Sequence, residues 1–343
     1  MSTAANKAAL LLAPKANTLV VQNVPYPIPG PGQVVIKSEV VALNPVEDRV
    51  QRNDIFKSTY PLVIGADVAG TIDQVGEGVS SFKKGQRVMG YCMGLGLNDN
   101  RFAAYQHYCL VHETLVAPVP DHIRLMDAAV LPLAITTVST SLYHPDHLSL
   151  PLPQKQPVDT GKSIFIWGGS SSVGATAIQL CVASGLNVVT TASKKNHELV
   201  KSLGASTVLD YNSPSIVDEA VAVLKNHDLI ACYDAISEPQ TMAPLGAILD
   251  QLGPRDVCFV IPPRGEISKN IKWTLSLAFE LLNEKGRPIA DYIWHNFIPK
   301  ALAEGRLQAK PDPVLVGEGL ESIQEGLYKL QKGVSAQKLV VKI

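Results

Sequence analysis

Between a short apolar run, Ser163-Ile-Phe-Ile-Trp167, and a longer one over residues 173–184, the chain places Trp167-Gly-Gly-Ser-Ser-Ser-Val-Gly174. A β-branched and aromatic run, a glycine-serine turn, and an apolar stretch closed by Gly185 predict a strand, a tight turn and a helix. That succession constrains the fold more than any other feature. It aims backbone N–H groups at the positive end of a helix, where a pyrophosphate can sit. Gly169 and Gly174 match the first and third glycines of G-x-G-x-x-G, and Ser171 stands at the second. Serine is small enough for close approach, and its hydroxyl can donate to phosphate. Ser170, Ser172 and Val173 complete the loop as candidate cofactor contacts. Alone, such a turn also serves purely structural ends, so its surroundings must decide.

Those surroundings alternate. Asn187-Val-Val-Thr-Thr191 reads as a strand, 197–203 as a helix stopped by Gly204, and Thr207-Val-Leu-Asp-Tyr211 as a strand. Ser215-Ile-Val-Asp218 resembles a capping box opening a further helix. Residues 229–235 and 257–261 are two more strands, with Ile261 closing the second. Strands alternating with helices predict an α/β doubly wound parallel sheet over 126–295. Residues 1–125 differ. Runs at 18–22, 33–37 and 70–75 are strands separated by turns, with no helix between them, which predicts a compact barrel-like β domain. A polar amphipathic helix over 320–331 and a closing strand over 338–343 return the chain to that β domain, assigning 296–343 to it as well.

With 30 Lys and Arg against 31 Asp and Glu, the net charge is −1, so no global basic field exists for nucleic acid or an anionic membrane. No segment is expected to form the roughly 18-residue apolar span that a bilayer requires. The apolar run from Ala8 to Ala13 is too short for a secretory core and reads as a first strand, and the expected compartment is the cytoplasm. The five cysteines, at 92, 109, 181, 232 and 258, form no CxxC pair and no His/Cys cluster, so neither a disulfide framework nor a structural zinc site is expected.

The second strand of the α/β region decides between dinucleotides. An NAD site offers a carboxylate to the ribose about 20 residues past the loop. Here Thr190-Thr-Ala-Ser-Lys-Lys-Asn196 offers none. Ser193, Lys194 and Lys195 suit a 2′-phosphate, which a carboxylate would repel. The expected cofactor is NADPH.

Pro61-Leu-Val-Ile-Gly-Ala-Asp-Val-Ala-Gly-Thr71, Gln74-Val-Gly-Glu-Gly-Val79, Lys84-Gly-Gln-Arg-Val88, Ala42-Leu-Asn-Pro-Val46, the glycine-serine loop and Leu203-Gly-Ala-Ser-Thr-Val-Leu-Asp-Tyr211 together resemble the medium-chain dehydrogenase/reductase superfamily. The likeness spans nearly the whole chain. It is greatest to the zinc-independent quinone oxidoreductase and enoyl reductase branch, in its fungal form, where some members serve beside polyketide synthases. The resemblance implies a GroES-like β-barrel domain joined to a Rossmann domain, a small-molecule substrate that includes carrier-bound or polyketide intermediates, and a homodimer. It places Thr137 against the nicotinamide, and Tyr211 and Ser193 near the 2′-phosphate. Arg49 stands where fungal relatives commonly carry a ribose-contacting lysine. Zinc-dependent relatives carry a cysteine near Asn44 and Gly-His-Glu in place of Gly65-Ala66-Asp67. Asp67 without soft or imidazole partners is a poor zinc site. Without a Lewis acid, a substrate carbonyl needs hydrogen-bond donors such as Asn44, Thr137 and backbone N–H groups.

Four other features remain. Tyr143-His-Pro-Asp-His147 is a thin metal-ligand set, and the flanking Pro-Leu-rich segment to Pro157 reads as a surface loop. Ser170 to Ser172 lack the G-x-S-x-G spacing of a hydrolase. Tyr60 is a candidate proton donor, with solvent as the alternative. Residues 271–282 read as an apolar helix. Two functions stay open at this level: an NADPH-dependent reductase of activated double bonds or quinones, and a non-catalytic NADPH-binding redox sensor or structural protein.

Overall fold

The structure is a computed structural model describing residues 5–56 and 58–343. Its strands are β1 (Asn6–Leu11), β2 (Val20–Val24), β3 (Gln33–Ala42), β4 (Leu62–Val63), β5 (Asp67–Val75), β6 (Arg87–Tyr91), β7 (Tyr108–His112), β8 (Val116–Pro118), β9 (Lys162–Trp167), β10 (Asn187–Thr191), β11 (Thr207–Leu209), β12 (Asp228–Asp234), β13 (Arg255–Phe259), β14 (Ile271–Leu275), β15 (Asp312–Glu318) and β16 (Gln337–Lys342). The chain divides into two compact units, residues 1–133 with 294–343, and residues 134–293.

The first unit holds a three-stranded sheet, β2-β1-β4, and a seven-stranded sheet. In the larger sheet the order is β15-β16-β3-β5-β6-β8, and β7 also pairs with β3. The long strand β3 organises it. Its Val34, Val35, Ile36 and Val41 are fully buried, together with Val68, Met89 and Leu110 from neighbouring strands. The C-terminal strand β16 runs antiparallel to β3, with Val340 opposite Ala42 and Lys342 opposite Val40. It also runs parallel to β15, a strand the sequence pattern did not suggest.

The second unit is a six-stranded sheet ordered β11-β10-β9-β12-β13-β14. Every pairing is parallel. Chain order along the sheet reverses at β9, the place where ligands bind at strand carboxyl ends in open α/β sheets. The helices Ile216–Leu224 and Pro239–Leu252 supply Ile216, Ala220, Leu224, Leu245, Ile248 and Leu249 to one apolar cluster with Phe165, Val189, Cys232, Val257 and Phe259.

The structure corrects several local expectations. The run 271–282 is not a helix: Ile271–Leu275 forms the edge strand, in register from Arg255 opposite Ile271 to Phe259 opposite Leu275, and Ala278–Leu282 forms a 3₁₀ turn. An apolar run alone does not separate helix from strand, and here the open edge of β13 supplies the partner that decides. The first hairpin strand lies at Val20–Val24, not 18–22, because pairing with β1 fixes its register. Ser215 makes no side-chain cap; its hydroxyl donates to Glu219 Oε1 at 2.8 Å, one turn into the helix. His144 and His147 stand ahead of the segment 148–157, which carries no helix or strand. Their imidazoles are buried, His147 Nε2 lies 2.9 Å from Glu280 and His144 Nε2 lies 3.2 Å from Asn283. They tie the end of the helix Pro132–Tyr143 to the segment beyond β14. One helical stretch, Leu125–Tyr143, is long and apolar enough to cross a membrane, against expectation, because Pro132 does not end the apolar run. Within the protein, 78% of its apolar window is buried, as for an interior helix.

Candidate cofactor and active site

Strand β9 ends at Trp167, and the helix Ser172–Ala183 begins five residues later. Between them the loop is drawn tight by backbone bonds: Gly169 N–H donates to Thr191 O at 2.9 Å and Ser171 N–H to Gly168 O at 3.0 Å. Both fingerprint glycines are sterically required. A Cβ on Gly174 would stand 2.2 Å from Gly168 O, and one on Gly169 would stand 2.3 Å from Thr190 Oγ1. Ser171 caps the helix, its Oγ accepting from Gly174 N–H at 3.0 Å. The first N–H groups of a helix have no partner within it, and the helix dipole adds positive potential there. Ser170, Ser171, Ser172 and Val173 are partly exposed, so the loop is open to a ligand.

Beyond β10, Ser193 starts a 3₁₀ turn carrying the exposed side chains of Lys194 and Lys195. Asn196 is buried and donates through Nδ2 to Ser170 Oγ at 3.3 Å and to Ser193 Oγ at 3.1 Å. The glycine-serine loop and the end of β10 are thereby joined. Past β11, Asp210 accepts from Asn212 N–H, and its carboxyl is held below the usual range, chiefly by that bond and further by the Lys194 charge. Tyr211, next to it, is exposed. Ile261, half-buried, follows the carboxyl end of β13. These donors and cations fit a phosphorylated dinucleotide: a tight glycine loop, hydroxyls at two points, two lysines, and no carboxylate closing β10. Thr137, also in this unit, lies on the helix Pro132–Tyr143 and is almost fully buried; its carbonyl accepts from Ser141 Oγ at 2.8 Å.

In the first unit, Asn44 precedes the helix Pro45–Asn53, which carries the half-buried Arg49. The structure gives Asn44 a different position from the one expected. Its Nδ2 donates to Asp67 Oδ2 at 2.9 Å and to Glu47 Oε1 at 3.3 Å, and its Oδ1 accepts from Lys338 Nζ. Both amide hydrogens are used within the protein, so Asn44 has none left to polarise a substrate carbonyl. Lys338 Nζ also pairs with Asp67 at 3.0 Å, and both side chains are buried. Asp67 accepts further from Leu133 N–H at 2.6 Å. Glu47, fully buried, accepts from Asn44 N–H at 2.7 Å and Ala66 N–H at 3.0 Å. Burial, reinforced by the neighbouring Asp67 carboxylate, pushes the Glu47 carboxyl up to about 7. This donor set does not fit zinc: Ala66 brings no ligand, and an ammonium already stands against Asp67. Among the described residues, no group of three or more His, Cys, Asp or Glu side chains is arranged to hold a metal ion. All five cysteines are free and buried, and Cys92 and Cys109 lie 3.8 Å apart, sulfur to sulfur.

Tyr60 donates its hydroxyl proton to Asp54 Oδ1 at 2.7 Å. Burial, with that bond second, pushes its pKa up to about 12, which makes it a poor acid at neutral pH. Sequence reasoning missed Glu47 and Lys338. The first carries a local signal, a glutamate three residues after Asn44. The second has none, since it lies 294 residues from Asn44.

A family profile described as "Alcohol dehydrogenase GroES-like domain" matches residues 30–121. Among curated proteins, a trans-enoyl reductase, himH, from Aspergillus japonicus is 44% identical over 313 residues, covering 91% of this chain and 90% of that one. Among solved structures, an alcohol dehydrogenase superfamily protein from Novosphingobium aromaticivorans superposes with TM-score 0.80 at 23% identity, covering 98% of this chain and 99% of that one. A mycobacterial protein, Rv1454c, solved in complex with NADPH, superposes with TM-score 0.72 at 20% identity, covering 98% of this chain and 100% of that one.

Proposed function

Since the chain belongs to the medium-chain dehydrogenase/reductase superfamily, we propose that it is an NADPH-dependent, zinc-independent reductase acting on an activated C=C bond, in an enone, enal or enoyl thioester, or on a quinone. The observation that carries the cofactor reading is the glycine loop after β9 set beside a strand, β10, that ends in Ser193, Lys194 and Lys195 without a carboxylate. The relative described as a trans-enoyl reductase supports the acceptor class.

Gly169 to Gly174 would hold the pyrophosphate. Ser193, Lys194, Lys195 and Tyr211 would hold the 2′-phosphate, and Ile261, Thr137 and Arg49 would line the rest of the dinucleotide. When bound, NADPH supplies a hydride. The remaining work falls to the protein. Thr137 and backbone N–H groups stabilise negative charge on the acceptor oxygen, a charge that conjugation has already spread. This favours an enolate or a hydroquinone anion over the localised alkoxide of a saturated alcohol. Asn44 holds the Asp67–Lys338 pair in place and does not touch substrate. With the Tyr60 proton committed to Asp54, solvent protonates the α-carbon. The reading includes a cytoplasmic location and a homodimer.

The test is a panel of enals, enoyl thioesters and quinones with NADPH, set against primary and secondary alcohols with NADP⁺, alongside elemental analysis for zinc. Turnover of conjugated acceptors by zinc-free protein supports the proposal. Alcohol oxidation with silence on every conjugated acceptor overturns it. NADPH binding with silence on the entire panel favours a non-catalytic binder.

A further inference from the structure

We propose that Asn196 is a positioning residue that sets the hydrogen-bond polarity of the dinucleotide site, forcing Ser170 and Ser193 to act as donors to phosphate; the inference rests on the dinucleotide reading above. A neutral side-chain amide carries two N–H hydrogens, and a serine hydroxyl carries one hydrogen and two lone pairs. Asn196 Nδ2 donates to Ser170 Oγ at 3.3 Å and to Ser193 Oγ at 3.1 Å. Each hydroxyl accepts on its buried side, so its single hydrogen must point elsewhere. Both serines are partly exposed, which leaves that hydrogen free to point toward a ligand. Two neighbouring hydroxyls follow the same pattern. Ser171 Oγ accepts from Gly174 N–H and Thr191 Oγ1 accepts from Gly168 N–H, both at 3.0 Å.

A carboxylate in place of the amide would reverse this arrangement. Acceptor-only oxygens would draw both hydroxyl hydrogens inward and leave lone pairs facing an anion. Asparagine, and not its isosteric acid, is therefore what an anion site requires here. The position also links two recognition tasks. Ser170 belongs to the loop that would hold the pyrophosphate, and Ser193 to the segment that would read the 2′-phosphate. One buried amide, 9% exposed, orients both.

The experiment measures equilibrium binding of NADPH, NADH and 2′,5′-ADP, by fluorescence and calorimetry, to the wild type and to Asn196→Asp, Asn196→Ala, Ser193→Ala and the double variant Ser170→Ala/Ser193→Ala, with and without Asn196→Asp. Thermal melting without ligand checks folding. Asn196→Asp should weaken NADPH and 2′,5′-ADP by about 10²-fold, the loss of two charge-assisted bonds, and NADH by about 10-fold, since only Ser170 then faces a phosphate. Asn196→Ala leaves the hydroxyls free to rotate and should cost less. In the double-serine background the effect of Asn196→Asp should shrink at least fivefold. If it does not shrink, bare charge explains the loss and the proposal is overturned. If Asn196→Asp fails to fold, Ser193→Ala decides: NADPH weakened and NADH unchanged supports the proposal, and equal weakening of both overturns it. A wild type that binds none of the three probes overturns the dinucleotide reading itself, whereas a binding wild type with unaffected variants overturns only the role of Asn196.

Discussion

Lys338→Met removes the cation from a buried cluster that otherwise contains two carboxyl groups. In the wild type, Lys338 Nζ stands 3.0 Å from Asp67, whose side chain is 0% exposed, and Glu47 nearby is also fully buried. Methionine keeps most of the lysine's length and apolar stem, so packing changes little while the charge disappears. Breaking a buried pair by deleting one partner costs about 3–5 kcal/mol, because the other charge stays desolvated. For a unit of this size, each kcal/mol lowers the melting temperature by about 2–4 °C, so a fall of roughly 6–20 °C is expected. The sign of the pH dependence follows from protonation. The Glu47 carboxyl is raised from 4.5 to about 7 in the folded protein, so the folded form holds its proton more tightly and stability drops as pH rises between those values. Lys338 holds the Glu47 carboxyl down, so without it that carboxyl becomes still easier to protonate. The deficit of the variant should therefore be larger at pH 8 than at pH 5, and Asp67→Asn in the same background should recover part of it. The assay is thermal unfolding followed by circular dichroism at the two pH values. A variant melting within about 2 °C of the wild type at pH 8, or an identical deficit at both pH values, would refute the claim that Lys338 compensates buried negative charge.

Tyr60→Phe should change turnover by less than about 3-fold near pH 7, because the hydroxyl proton is held by Asp54; a loss of about 10²-fold, typical of a removed general acid, would reinstate Tyr60 as the donor. Gly174→Ala should weaken NADPH at least 10-fold in a fluorescence titration, since its Cβ would meet Gly168 O at 2.2 Å, and unchanged binding would mean that the loop is not the phosphate site. Lys194→Ala and Lys195→Ala should each weaken NADPH by roughly 10-fold or more, the scale of a charge-assisted contact, with NADH barely affected; equal losses for both cofactors would show that these lysines do not read the phosphate.

What the sequence made legible was local. The succession strand, glycine turn, helix needs only nearest neighbours, and the loop after β9 formed where the pattern placed it. The alternating elements of 162–259 were likewise readable from periodicity and glycine stops. What escaped depends on distant partners. Ile271 to Leu275 is apolar enough for a helix and became a strand because β13 offered an edge. His144 and His147 sit among polar and proline residues, yet Asn283 and Glu280 bury them. Asn44 was read as a donor to substrate because nothing nearby in sequence announced that Asp67 would accept from its amide, or that Lys338 Nζ, 294 residues away, would donate to its oxygen. Asn196 was visible beside two lysines, but its link to Ser170 appears only once β9 and β10 are paired.

The central claim is hydride transfer from NADPH to a conjugated acceptor, and isotope transfer tests it most directly. Protein incubated with an enoyl thioester and NADPH deuterated at nicotinamide C4, in ordinary water, should yield a saturated thioester with deuterium at the β-carbon and solvent hydrogen at the α-carbon, read by mass spectrometry and proton resonance. Deuterium absent from the product of every conjugated acceptor, while saturated alcohols are oxidised with NADP⁺, would contradict the account.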